Sequence, residues 1–493
     1  MSSGEGPGLH TKVARGVAWA AGAQAIIALA DLISQMVVIA LISQEDLGLA
    51  GAAIPFYTML DTAADLGVTS SLIQRDDHTP ERVSTVFWFN MLVSGGLFLL
   101  LLVIGPLYGH FQGHAIIGWL LVVYGGKLIF QNVYSIPFAL LRKELRFSDI
   151  AVARVLAHLA ESIARVAFAL AGWGVWCFTL AALTRAFVFG VIMQIRHPFI
   201  PRFVFRPREV TQYVRFGLRT AASQVLYQLY TNLDYPVVIY YFGAEANGIY
   251  FAAYSIVLEP VKTIANVVID VAYPTFARLR NDHAGLVDQF IKFTRLNLIA
   301  VLPFVVVIVL VIPEYLTLFT SHTQWHAHEI ALCAEAARIL CLVGMLRALG
   351  FLGPPLLDGI GHPERTLRYM VIAAIVVPGM FILFANLLGN QIGFMSVAVG
   401  WAVGYPIAFV ALSFLVIKGI QLPIGAYLRG AWGIVGCCLA GLVAGLGVSI
   451  ALADSGPGLR MAAVGGTALG VIALLLASWQ GITPRSISKS LKG

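Results

Sequence analysis

Charge is what this chain of 493 residues has least of. Asp, Glu, Lys and Arg make up 12% of it, about half of the roughly 25% usual for soluble domains. So little charge cannot clothe a water-facing surface, which excludes a soluble globule. Cysteine is equally scarce: Cys177, Cys333, Cys341, Cys437 and Cys438 all fall within apolar runs. Their positions match neither a secreted disulfide framework nor a metal-binding spacing, so they read as small core residues. Long polar loops are also missing. The longest loop on one side, about 313–330, contains "HTQWHAH" (322–328). His322, His326 and His328 there have no cysteine beside them and read as a solvated interfacial loop with Trp325 as anchor, so no metal is expected. No nucleophile or catalytic acid set stands outside the apolar runs, so the chain is not expected to be an enzyme.

What is present is apolar length. Hydrophobic residues make up 59% of the chain, and mean hydropathy is +0.84. Runs of about 20 apolar residues, enough to cross a bilayer as a helix, recur throughout. In lipid the backbone must pair internally, so these runs are helices. The first, roughly 16–42, is longer than a signal-peptide core and holds Gln24, Asp31 and Gln35, so it reads as a membrane helix. The expected spans are 16–42, 47–72, 83–107, 115–141, 150–171, 174–195, 212–242, 246–273, 290–312, 331–357, 367–388, 392–417, 430–452 and 460–479. The fold class is therefore all-α and polytopic, with about fourteen transmembrane helices.

Positive charge orients them. Of the 32 Lys and Arg residues, 23 fall in the tails and in one set of loops, Arg460 alone falls in the opposite set, and eight lie inside spans. Positive loops stay in the cytoplasm, so both termini are expected there. This placement also explains the net charge of +7 through topology and anionic lipid rather than nucleic acid.

The chain repeats itself. Residues 14–53 set against 214–253 without a gap give eleven identities, among them Arg15/Arg215, Gln24/Gln224, Glu45/Glu245 and Gly48/Gly248. Six helices separate the two starts, an even number, so the halves are parallel repeats with a substrate path expected at their interface. The expected division is an N-terminal six-helix lobe (1–195), a basic cytoplasmic linker (196–211), a C-terminal six-helix lobe (212–417), then two additional helices and a tail (418–493).

The stretches "SQEDLGLAGAAIPFYTMLDTAADLGVTSSLIQR" (43–75), "FGLRTAASQVLYQLYTNLDYPVVIYYFGAEANGIYFAAYSIVLEP" (216–260) and "VAYPTFARLRND" (271–282) resemble the polysaccharide transporter family of the multidrug/oligosaccharidyl-lipid/polysaccharide exporter superfamily. The resemblance covers about residues 10–420. It implies two six-helix lobes around a central cavity plus two extra helices. It also implies flipping of lipid-linked oligosaccharides for exopolysaccharide, capsule or O-antigen.

An ionised side chain at mid-bilayer costs about 2.5–3.5 kcal/mol, so such residues face protein or water. Arg154, His158, Glu161 and Arg165 form one stripe at spacings of 4, 3 and 4, and Arg185 lies in the next helix. Gln24, Asp31 and Gln35 occupy one face of the first helix. Arg219, Tyr227, Tyr230 and Asp234 do the same in the seventh. Asp61 and Asp65, at i,i+4, resist joint ionisation and make a candidate proton site. Glu259, Lys262 and Asp270 follow in the eighth helix, and Glu335, Arg338 and Arg347 in the tenth.

The expected substrate contacts are Arg154, Arg165, Arg185, Arg219, Tyr227, Tyr230, Arg338 and Arg347. The ion-coupling candidates are Asp31, Asp61, Asp65, Glu161, Asp234, Glu259 and Asp270. The same helical spacings also serve structural ion pairs and plain helix packing.

The expected function is alternating-access flipping of an undecaprenyl-pyrophosphate-linked oligosaccharide across the bacterial inner membrane. A proton or sodium gradient is the expected driving force, with no cofactor. The expected partners are the lipid-linked glycan, membrane lipid, and a polysaccharide polymerase with its chain-length machinery. A cation-coupled multidrug exporter is the alternative; its pore would be lined by acids and aromatics without a matching set of cations.

Overall fold

The structure, a computed structural model, describes residues 9–65, 79–144, 146–206, 223–320 and 325–481, with no strand among them. The helices are α1 (Leu9–Leu41), α2 (Gln44–Asp65), α3 (Pro80–Phe111), α4 (Ala115–Lys143), α5 (Phe147–Leu170), α6 (Trp176–Arg196) and α7 (Asp234–Arg278). They continue with α8 (His283–Thr320), α9 (Ala327–Gly350), α10 (Gly353–Gly359), α11 (Pro363–Ile392), α12 (Met395–Ile420), α13 (Ile424–Ala451) and α14 (Pro457–Gln480). A helical stretch over 223–232 precedes α7.

Ten helices among the described residues are long and apolar enough to cross a membrane. The other four expected spans, 47–72, 150–171, 212–242 and 246–273, are helical over their described residues. The break between the last two is a single residue: Gly243 adopts φ 87° and ψ 175° inside α7, a backbone region essentially restricted to glycine.

The chain forms two compact units, Met1–Gly248 and Ile249–Gly493. Residues 223–248 thus belong to the first unit, although the expected lobe boundary assigned them to the second. In the first unit, α2, α4 and α6 share a core of Ala53, Tyr57, Leu120, Leu121, Tyr124 and Ala182, and α1 packs along α5. In the second, α11 packs on α12 and α9 on α12, while α13 and α14 pack on each other and on α8.

Arg460, the lone basic residue of the loop set expected opposite the termini, lies at the start of α14. Its Nε is 3.0 Å from Glu314 on α8, and it donates to Ser449 on α13 at 3.0 Å. All five cysteines are buried and unpaired, as their apolar surroundings predict.

The repeat has a physical expression. A Cβ on Gly48 would overlap the carbonyl of Ala244, and a Cβ on Gly248 would overlap the carbonyl of Gln44. Residues 44 and 244, like 48 and 248, are equivalent in the repeat. The contact is therefore reciprocal, as a two-fold relation between the two segments requires. Asn247 Nδ2 completes it by donating to the Gly48 carbonyl at 2.6 Å.

Candidate substrate cleft in the first unit

Four helices of the first unit, α1, α4, α5 and α6, surround a cleft of about 360 Å³, within the about 300–1,000 Å³ range of small-molecule sites. Gln24, Ile27 and Asp31 face it from α1, and Tyr134 and Phe138 from α4. Arg154, Ala157 and His158 enter from α5, with Arg185, Ala186 and Phe189 from α6. The 4-residue step from Arg154 to His158 is one helical turn, which puts both on the same wall. The Arg154 guanidinium lies over the Phe138 ring, 5.5 Å from its centre.

Behind that wall sits Glu161, 5% exposed. Arg165 donates to its Oε1 at 3.0 Å, and Arg185 donates to its Oε2 at 2.9 Å. Glu161 therefore fixes two guanidiniums, one on its own helix and one on α6. His158 Nδ1 lies 3.5 Å from Asp31 Oδ2 and 3.8 Å from Glu161 Oε2. Ser162 donates to Asp31 Oδ1 at 3.4 Å, and Arg165 donates to Ser34 on α1 at 3.4 Å. The stripe expected on the fifth helix is real, but it divides by depth. Arg154 and His158 line the cleft, whereas Arg165 is held between Glu161 and Ser34, with Phe178 beneath its guanidinium.

Asp31, His158 and Glu161 bring three potential ligand atoms within 4.8 Å of one another. Two guanidiniums already neutralise Glu161, so the field there opposes a cation. The arrangement fits an anion-facing wall better than a metal centre.

A second ion pair, between a buried lysine and a half-buried aspartate, joins α2 to α4. Lys127 Nζ is 2.5 Å from Asp61 Oδ2, and the Lys127 side chain is only 4% exposed. Tyr124 donates to the same carboxylate oxygen at 2.9 Å, and Lys127 donates to the Tyr124 hydroxyl at 2.7 Å. The Tyr124 ring stacks on Tyr57 at 3.7 Å, and the Tyr57 and Thr179 hydroxyls hydrogen-bond at 2.7 Å.

Lys127 is one of the eight Lys and Arg residues inside the expected spans. The signal was there, since an intramembrane lysine is a functional candidate by default. The partner that balances Asp61 is thus a lysine on α4; the side chain of Asp65 lies outside the described residues.

The remaining candidates are dispersed. Arg219 lies outside the described residues. Tyr230 is buried and Tyr227 half-buried, their rings packed edge to face at 5.5 Å. Asp234 is fully buried at the start of α7, where its Oδ1 accepts from the Tyr235 amide at 3.1 Å. Asp31 instead keeps 39% of its side chain accessible, so the acids of the first and seventh helices do different work.

In the second unit, Arg347 is buried between Trp401 and Phe351 and donates to the Tyr254 hydroxyl at 3.3 Å. Glu335 and Arg338 are exposed on α9, and Glu259 pairs with Lys262 at 3.4 Å. Asp270 is exposed.

Comparisons with known proteins place this architecture. The chain is 26% identical over 295 residues to the teichuronic acid biosynthesis protein TuaB of Bacillus subtilis, a match spanning 58% of each chain. It is 24% identical over 442 residues to the succinoglycan biosynthesis transport protein ExoT of Rhizobium meliloti, covering 88% of this chain and 85% of that one. Its fold is similar to that of the lipid II flippase MurJ in an inward closed conformation. There the TM-score is 0.70 at 15% identity, over 92% of this chain and 98% of that one. The polysaccharide biosynthesis protein family matches residues 37–329, more than half of the chain. Membrane helices, fold and sequence thus agree: the chain belongs to the polysaccharide biosynthesis protein family.

Proposed function

We propose that this protein flips an undecaprenyl-pyrophosphate-linked oligosaccharide across the bacterial inner membrane, delivering repeat units for an exported polysaccharide. The observation that carries the reading is the cleft of the first unit, where Arg154, His158 and Arg185 stand among Tyr134, Phe138 and Phe189. Cations inside a membrane protein mark an anionic substrate path, and aromatic rings suit sugar faces. Family membership and relatives named for polymer biosynthesis and transport support the substrate class.

In this reading Arg154 and Arg185 contact the pyrophosphate directly. Arg165 acts through Glu161, which keeps the Arg185 guanidinium turned to the cleft. The glycan occupies the hydrated interior while the prenyl tail stays in lipid. Alternating access opens the path to each side in turn, and the acids Asp31 and Asp61 couple it to a proton or sodium gradient. A polysaccharide polymerase receives the product.

The test is complementation of a deletion strain. Arg185→Ala and Arg154→Ala should reach the membrane at parental abundance yet abolish polymer export and accumulate lipid-linked repeat units. Undiminished export by both variants rejects the assignment. Resistance to toxic cations in place of export would favour the drug-exporter alternative.

A further inference from the structure

The segment after α6 is neither helix nor strand, yet it is firmly attached. Over 197–206, "HPFIPRFVFR" is irregular, turning at Phe203, where the Val204 amide donates to the Arg202 carbonyl at 2.8 Å, and it docks along the first turns of α3. The Arg202 amide donates to Ser84 Oγ at 2.9 Å, and the Arg202 carbonyl accepts from Trp88 Nε1 at 2.9 Å. The Arg206 amide donates to Thr85 Oγ1 at 3.3 Å, and Phe199 packs against Phe87.

The outward side chains are the anomaly. Ile200 is 87% exposed and Phe203 92%, although Phe203 stacks on Trp88 at 5.3 Å. Isolated exposed apolar residues are ordinary, but this group continues two larger apolar faces. On α3 the exposed Leu92, Leu99, Val103 and Leu107 share one side, and on α6 Phe187, Val191 and Ile195 do. Those faces belong to helices long and apolar enough to cross a membrane.

The same end of the unit is basic. Arg142, Lys143, Arg146, Arg196, Arg202 and Arg206 stand against Glu81, Glu144 and Asp149. The Arg202 side chain stays 61% exposed while it pairs with Glu81, and Arg196 stays 46% exposed beside Asp149.

We infer that residues 197–206 form an interfacial strap that binds the anionic headgroup layer of the membrane. Ile200 and Phe203 enter the boundary between headgroups and acyl chains, and Arg196 and Arg202 meet lipid phosphates. Apolar side chains facing one way beside a cluster of cations are the signature of a segment lying in the interface. An acidic soluble partner would account for the arginines but not for the continuity with lipid-facing helix surfaces.

The five native cysteines are buried, so a thiol probe on the full-length Phe203→Cys protein labels that position selectively. In vesicles of phosphatidylcholine and phosphatidylglycerol, bimane at 203 should be quenched by lipids brominated near the headgroup. It should be several-fold less sensitive to aqueous iodide than bimane on Asn281→Cys in the exposed turn between α7 and α8, on the same side of the membrane by the distribution of Lys and Arg. Equal iodide quenching at the two positions overturns the proposal and leaves the surface to a soluble partner. In detergent, phosphatidylglycerol should raise the Tm of the parent but not of Arg196→Gln/Arg202→Gln, with phosphatidylcholine neutral for both. An undiminished rise in the double variant overturns the headgroup contact.

Discussion

Glu161 and Asp61 show how an acid persists inside a membrane protein. Each is balanced by cations arriving from other positions: Arg165 and Arg185 for Glu161, Lys127 for Asp61. Removing one member of such a pair strands the other, which costs about 3–5 kcal/mol when both are fully buried. Asp61 keeps 34% of its side chain accessible, so Lys127→Met should cost about 2 kcal/mol, below that buried-pair range. Asp61→Asn combined with Lys127→Met should recover more than half of the loss. Thermal unfolding of the parent, Lys127→Met, Asp61→Asn and the double variant in detergent measures the coupling, and additive losses would show that the contact is energetically idle. The pair was not legible beforehand, because Asp61 and Lys127 are 66 positions apart and nothing in their local spacing announces the meeting. The Glu161–Arg165 pair, one helical turn apart, was.

At the scale of elements, the reciprocal contact between the N-terminal part of α2 and residues 244–248 is the closest backbone approach at any glycine among the described residues. Gly48 and Gly248 each sit where a methyl group would strike a backbone carbonyl, and backbone cannot rotate away as a side chain can. Gly48→Val and Gly248→Val should each reduce the yield of folded protein sharply, since overpacking costs about 1–3 kcal/mol even where side chains can adjust. Gly96→Ala on α3, with nothing within 4 Å of the added carbon, should behave like the parent. Size-exclusion profiles of the detergent-extracted variants separate these outcomes, and a normal Gly48→Val profile removes the crossing from the packing argument. The paired glycines were visible in the alignment of the two repeats. That they face each other was not, because an alignment relates equivalent positions without saying whether they touch.

For the whole molecule, the distribution of Lys and Arg predicts both termini in the cytoplasm and the turn near Asp454 on the opposite side. Arg460, the exception on that side, is engaged by Glu314 and Ser449, so it contributes little free positive charge to the count. Alkaline phosphatase fused after residue 455 should be active, and the same fusion after residue 493 inactive. The reverse pattern would invert the topology and, with it, the leaflet that the strap contacts.

Composition and apolar run length by themselves determined the membrane class and the positions of the helices, because hydrogen bonding in lipid leaves a spanning backbone no other regular choice. Helical periodicity determined which polar residues share a face. Tertiary structure alone decided which face meets which. The rotation of each helix against its neighbours is set by side-chain packing between distant segments, and it brought Arg185 to Glu161, Lys127 to Asp61, and the proline-rich strap onto α3.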